Sequence, residues 1–222
     1  MVHARLKPPF ESKPLMRAAI FILVGFLTIL PTLSHARACR MGKIAQLHGE
    51  VSVLRANQQI SPSEGQAVCI GDRVSTGANG VANFHLRDGT KITVGKSSEF
   101  VFDEYRIYRQ RPNIALFTLL KGAFRSVTGF MTVRPHRYEV RTATATLGVR
   151  GTDFWGGYGL TENGLDVIML EGHGVYVKTA QGQVELDRPG LGTTVLPEQS
   201  PTVPVVWEQE KVQRAVATIT HD

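Results

Sequence analysis

The chain has 222 residues, with 25 Lys and Arg against 19 Asp and Glu, a formal charge of +6 at neutral pH. Five of those bases and one of those acids lie in residues 1–38, so the remainder holds twenty bases and eighteen acids, a net +2. The length bounds the chain to one or two domains, and so slight a positive balance argues against nucleic-acid binding, which calls for a clearly basic domain.

At the start, Arg5, Lys7, Lys13 and Arg17 precede an apolar run over residues 18–30, which Pro31 breaks and Ala36-Arg37-Ala38 follows. A basic start, a short apolar core and an A-x-A triplet describe a secretory signal peptide. The run falls short of the about 20 apolar residues that a spanning helix needs. Cleavage is expected after Ala38, which gives a periplasmic or secreted chain beginning at Cys39 with no integral membrane segment. The alternative is an uncleaved N-terminal anchor, because 17 residues make a long signal start. Cys39 and Cys69 are the two cysteines of the chain. In an exported protein such a pair is expected to be bonded. The closed loop of about 30 residues would contribute roughly 3 kcal/mol in the chain-entropy account. A lipid anchor on Cys39 is disfavoured by Arg37, and the wide spacing of the two thiols does not suit a metal site.

Beyond Cys39 the dominant pattern has period two. Val51-Ser52-Val53-Leu54-Arg55 alternates, as do residues 81–87 and 91–94 around Asp88-Gly89. An Asp-Gly pair between two alternating runs predicts a hairpin with a two-residue turn. The same grammar continues over residues 99–108, 115–120, 123–127, 138–142, 152–158, 165–170, 174–178 and 183–186, with Thr161-Glu162-Asn163-Gly164 an evident turn. Turn signals every 8–12 residues or so predict an all-β fold, a single antiparallel sandwich- or solenoid-like domain of short hairpins. No linker divides it, so it is placed at 39–190. Residues 191–222 then read as a Pro-rich stretch and a short amphipathic helix over 208–219, on which Val212, Ala215, Val216 and Ile219 share one face. That helix is expected to pack back on the domain.

Few residues nominate chemistry. The histidines after the signal, His48, His85, His136, His173 and His221, form no close ligand pair. There is no G-x-S-x-G elbow, no phosphate loop and no dinucleotide fingerprint. No catalytic residue, metal site or cofactor is expected. Charge is nevertheless uneven. Residues 106–150 hold nine Arg and Lys against Glu139 alone, and residues 152–187 are acidic. Two explanations stand. The segments pair across one sheet, or Arg125, Arg134, Arg137 and Arg141 form a patch for an anionic partner.

Several phrases, in order, resemble the FecR domain of the bacterial cell envelope. They are Gly49-Glu50-Val51-Ser52-Val53-Leu54-Arg55, Cys69-Ile70-Gly71-Asp72-Arg73-Val74-Ser75-Thr76-Gly77, Phe84 to Gly89 with Thr90 to Val94, and Ser97 to Val101. Leu119-Leu120-Lys121-Gly122-Ala123-Phe124 follows, and then Tyr138-Glu139-Val140-Arg141-Thr142 leading to Val149-Arg150-Gly151-Thr152-Asp153-Phe154. The likeness covers about residues 43–178, with Ala143 standing where the family often has proline. It implies a sensor or scaffold domain of the envelope. The family's regulators carry an anti-sigma segment before their membrane helix and a signalling domain after the FecR domain, and neither is expected here. The phrase with Gly148, Arg150, Gly151, Thr152 and Phe154 is read as a structural corner, with positive φ at one or both of its glycines and Arg150 clamping carbonyls or a carboxylate.

The expected function is therefore an exported, non-catalytic module that binds an envelope protein or an anionic polymer. The alternatives are a membrane-tethered regulator and an accessory to a cell-wall or polysaccharide enzyme.

Overall fold

The computed structural model describes residues 39–221 apart from Arg109, Arg111 and 131–135. The proposed signal peptide and Arg134 lie outside the described residues. The strands run β1 (Gly42–His48), β2 (Val51–Arg55), β3 (Gln58–Ile60), β4 (Ala67–Val68), β5 (Arg73–Thr76) and β6 (Val81–Leu86). They continue with β7 (Lys91–Val94), β8 (Glu99–Arg106), β9 (Asn113–Lys121), β10 (Ala123–Val127), β11 (His136–Arg141) and β12 (Thr146–Val149). Then come β13 (Thr152–Tyr158), β14 (Leu165–Gly172), β15 (Val175–Lys178), β16 (Gln183–Leu186), β17 (Leu191–Val195) and β18 (Val205–Val206), followed by helix α1 (Gln209–Ala217). No helix among the described residues is long and apolar enough to cross a membrane.

Two sheets of nine strands each result. The first has the order β18-β17-β14-β13-β10-β7-β6-β1-β4 and the second β16-β15-β12-β11-β9-β8-β5-β2-β3. Pairing is antiparallel except between β9 and β11, which run parallel because β10 crosses to the other sheet between them. The two sheets share one core, which makes the molecule a sandwich. Phe84 and Phe124 from the first sheet meet Phe102 and Phe100 from the second at ring separations of 5.0 and 5.5 Å. Most strands alternate, sending Phe, Val, Leu and Ile inward and polar side chains to the outer face, while β13, β14 and β17 are buried on both faces where the C-terminal segment covers them.

The hairpin at Asp88-Gly89 forms, but its loop has three residues rather than two. The Leu86 N–H donates to Thr90 O at 2.8 Å, and Gly89 takes φ +84°. The cause is Asp88, which turns inward to 1 % exposure. Its carboxylate accepts from the Tyr105 hydroxyl at 2.9 Å, the Thr90 hydroxyl at 2.6 Å and the Thr90 N–H at 3.2 Å. Burial, and then the Asp88 charge, push the Tyr105 phenol far above its ordinary range.

The Gly-Asp element has a parallel logic. Gly71 takes φ +87°, and buried Asp72 accepts the Cys69 N–H at 2.8 Å and two bonds from Arg55 at 2.7 Å. Beside it Cys69 is bonded to Cys39.

The end of the chain departs from expectation. Residues 191–206 are part of the first sheet, as β17 paired with β14 and β18 paired with β17. Helix α1 lies across the outer face of that sheet, where Ala215 and Ile219 pack with Trp155, Trp207, Ala123 and Ile168.

Candidate functional site

The signature stretch at 146–158 turns a corner between β12 and β13 at Gly151. Gly148 lies inside β12, and a Cβ there would overlap the Tyr176 ring, so it serves close packing. Only Gly151 takes a positive φ, +69°. Arg150 does not clamp the turn. Its side chain is 70 % exposed and its carboxylate contact is Glu185 at 3.6 Å. A guanidinium so exposed is screened by water. The clamp is Thr152, 3 % exposed. Its hydroxyl donates to Gly174 O at 2.9 Å and accepts from the Gly174 N–H at 3.1 Å. Its backbone N–H donates to the Thr128 hydroxyl at 2.7 Å. Phe154, fully buried, packs edge-on against Phe124 at 5.4 Å.

Thr152→Val is expected to lower stability by about 1–3 kcal/mol, since it leaves buried partners unsatisfied. Arg150→Ala is expected to change it by less than about 0.5 kcal/mol. Urea denaturation of both variants checks the ranking, and a larger loss for Arg150→Ala would reverse the assignment.

The arginine patch is not assembled. Arg125 lies on the outer face of the first sheet, where it donates to both Asp153 oxygens at 2.8 and 2.6 Å. Those hydrogen bonds hold the guanidinium's proton still more firmly than usual. Arg137 and Arg141 lie on the outer face of the second sheet, both beside Glu139 at 2.9 and 3.8 Å. The two faces are opposite sides of the sandwich. Carboxylates therefore neutralise these three residues, Asp153 from the adjacent strand β13 for Arg125 and Glu139 within β11 itself for Arg137 and Arg141.

A different surface is concave. An open groove of about 760 Å³ runs over the outer face of β1, β6, β7 and β10. Lys43, Asn83, His85, Lys91, Thr93 and Arg125 line it. Its floor is polar, with the Thr93 hydroxyl donating to Asn83 Oδ1 at 2.7 Å. Glu64 is the one carboxylate along it, and its Oε1 accepts the Leu47 N–H at 3.1 Å. On the same sheet, the ground beyond β10 is covered by α1. The alternation over residues 81–87 sets His85 opposite in face to Phe84 and Leu86, but nothing in it associates His85 with Lys43 or Lys91. The association runs through the register of β1, a strand the period-two pattern did not reveal. Among the described residues no group of three or more His, Cys, Asp or Glu could hold a metal ion.

A family model described as FecR protein matches residues 72–185. A candidate anti-sigma factor from Parabacteroides distasonis, solved in crystals at 1.65 and 2.50 Å resolution, has a similar fold, with a TM-score of 0.51 and 18% sequence identity. The similarity covers 64% of this chain and 62% of that one, so this chain spans less than two thirds of that protein's length. No curated protein matches in sequence.

Proposed function

The chain belongs to the FecR protein family, and from that premise we propose that it is an exported, non-catalytic binding, sensor or scaffold module of the bacterial cell envelope. The observation that carries this reading is the Cys39–Cys69 disulfide. Disulfides persist in oxidising compartments and are rare where thiols are kept reduced. The bond ties the first residues after the proposed cleavage point to the Gly-Asp element, so it supports an exported domain starting at Cys39. The non-catalytic reading is supported by the use of the signature stretch, where Gly151 and Thr152 hold a strand corner and bind backbone. The open polar groove supplies the binding surface.

Cell fractionation with N-terminal sequencing tests the proposal. The expected result is a periplasmic or secreted chain beginning at Cys39 with no alkylatable thiol. Its reduced form should be less stable by roughly 3 kcal/mol. Two free thiols in freshly isolated protein, together with a cytoplasmic location, would overturn it.

One observation favours a second reading. The structural neighbour is described as a candidate anti-sigma factor, which suits a membrane-tethered regulator that keeps residues 18–30 as an anchor. The same sequencing separates the two, because a tethered chain begins before residue 18 and sediments with membranes.

A further inference from the structure

On the outer face of the first sheet, three basic side chains stand in line. Lys43 on β1 is directly opposite His85 on β6, and His85 is directly opposite Lys91 on β7. All three are exposed and all three line the groove. Directly opposed side chains have Cβ atoms about 4.5–5.5 Å apart, and like charges so placed destabilise a sheet. The backbones that carry the two lysines are separated by two strand spacings, about 10 Å along the row. His85 between them offers a ring N–H donor in either protonation state.

Most other strand-borne arginines are paired: Arg55, Arg73, Arg106, Arg125 and Arg137 each have a carboxylate within 2.9 Å, while Lys121 and Lys178, which have no ion pair among the described residues, each stand at the end of a strand rather than in a row. Lys43 and Lys91 have no ion pair among the described residues. At the same end of the groove, Arg40 and Arg87 extend the positive surface, with Arg87 reaching Arg40 O at 3.4 Å. The fold thus tolerates an uncompensated row of positive charge where a concave surface meets solvent.

The neighbours of the row narrow the ligand. Asn83 and Thr93 form the next row along the strands and stand opposite one another. With Gln46 at the rim they supply neutral donors and acceptors. The exposed large apolar side chains, such as Leu54, Ile70, Phe130 and Val203, do not line the groove. A protein partner would call for aromatic or aliphatic anchors at the centre of its footprint. A floor of amides and hydroxyls with cations along one side suits a chain of sugars that carries carboxylates.

We infer that the Lys43–His85–Lys91 row is a binding site for a linear acidic polysaccharide. This deepens the envelope-module reading and rests on it. The lysines pair with carboxylates on the polymer, His85 donates between them, and Asn83 and Thr93 engage hydroxyls.

Calorimetric titration of the purified protein with polygalacturonate at low salt tests the site. The expected result is saturable binding that weakens as salt is raised, with no binding of neutral dextran. Lys43→Gln/Lys91→Gln should bind polygalacturonate about thirtyfold more weakly, at roughly one charge's worth of surface attraction per lysine. Arg137→Gln/Arg141→Gln removes equal charge from the opposite face and should bind as the parent does. Both lysines are exposed and outside any ion pair among the described residues, so the melting temperature should hold within the small range of surface substitutions. If it falls, Lys91→Gln alone supplies the comparison, with an expected loss of about fivefold. Equal weakening by both double variants, binding of dextran, or no binding of polygalacturonate would overturn the site. Any of these with an exported, disulfide-bonded protein would leave the envelope-module reading standing. A cytoplasmic, reduced protein would remove that reading whatever the titration gave.

Discussion

Phe100→Ala is expected to lower stability by about 3–5 kcal/mol, the range for removing a fully buried phenylalanine. Phe100 is 0 % exposed and stands where the two sheets meet. Its ring lies 5.4 Å from Phe102 and 5.7 Å from Phe117 on its own sheet, and 5.5 Å from Phe124 on the facing one. Phe102 and Phe124 make further ring contacts to Phe84 and Phe154, so the truncation opens a cavity at the centre of a continuous aromatic cluster. Strands on every side are hydrogen-bonded into sheets, which limits how far the walls can collapse. At this chain length, the melting temperature should drop by roughly 10 °C or more. Phe100→Leu keeps most of the volume and should cost less than about 1.5 kcal/mol. Denaturant unfolding of the pair checks the claim. A loss below about 1 kcal/mol for the alanine variant would show that the two layers are not held together there.

Asp166→Ala is expected to cost about 3–5 kcal/mol, the range for breaking a buried ion pair from one side. Asp166 lies on the outer face of β14 beneath α1, with its side chain fully buried. Its Oδ1 accepts from Lys211 Nζ at 2.6 Å and from the Thr194 hydroxyl at 2.6 Å. Its other oxygen accepts the Thr161 N–H at 2.9 Å. The ammonium also sits 4.2 Å from the centre of the Trp207 ring. Removing the carboxylate leaves a partly buried ammonium and three donors, the Thr194 hydroxyl and the N–H and hydroxyl of Thr161, without that acceptor, so the helix should detach before the sandwich unfolds. The two tryptophans of the chain, Trp155 and Trp207, both lie at this seam. Their emission should shift to the red in the variant at temperatures where the far-ultraviolet β signal is unchanged. Replacing both partners, Asp166→Leu with Lys211→Met, should recover most of the loss. An Asp166→Ala variant with parental emission and parental stability would show that the Asp166–Lys211 pair does not hold the helix to the sheet.

The strands that could be read from sequence are those with one clean face each. Residues 82–94 alternate, and the structure keeps the alternation as an inner face of Ala82, Phe84 and Ile92 against an outer face of Asn83, His85 and Lys91. β1 escaped because a register shift between Ile44 and Gln46 breaks the period. β17 escaped for a different reason. It is covered on one side by the core and on the other by the C-terminal segment, so Gly192 and Thr193 are buried and no polar face remains to alternate. Site geometry was less accessible still. Arg125 and Arg137 are close in sequence, yet the chain crosses between sheets after β10 and places them on opposite faces. Thr152 gave no signal beyond the family phrase, because its role depends on Gly174, which a strand pairing brings near. Lys43 and Lys91 become neighbours of His85 only once the register of three strands is known. The disulfide was legible, since it follows from compartment and composition rather than from geometry.

The order of the strands has a consequence for how the molecule assembles. Apart from the short turn-backs of β3 and β4, both sheets are laid down in the order in which the chain is written. A polypeptide released N-terminus first can therefore add each new strand to an edge that already exists, on alternate layers. Loop closures stay short and the entropy lost at each addition is small. Cys39 and Cys69 both belong to the first portion released, so the covalent bond can secure the starting edge early. β18 and α1 come last, and their arrival buries Trp155 and closes the exposed face of the growing first sheet. The topology thus favours vectorial folding, in which a chain emerging from a ribosome or a translocation channel never has to wait for its far end.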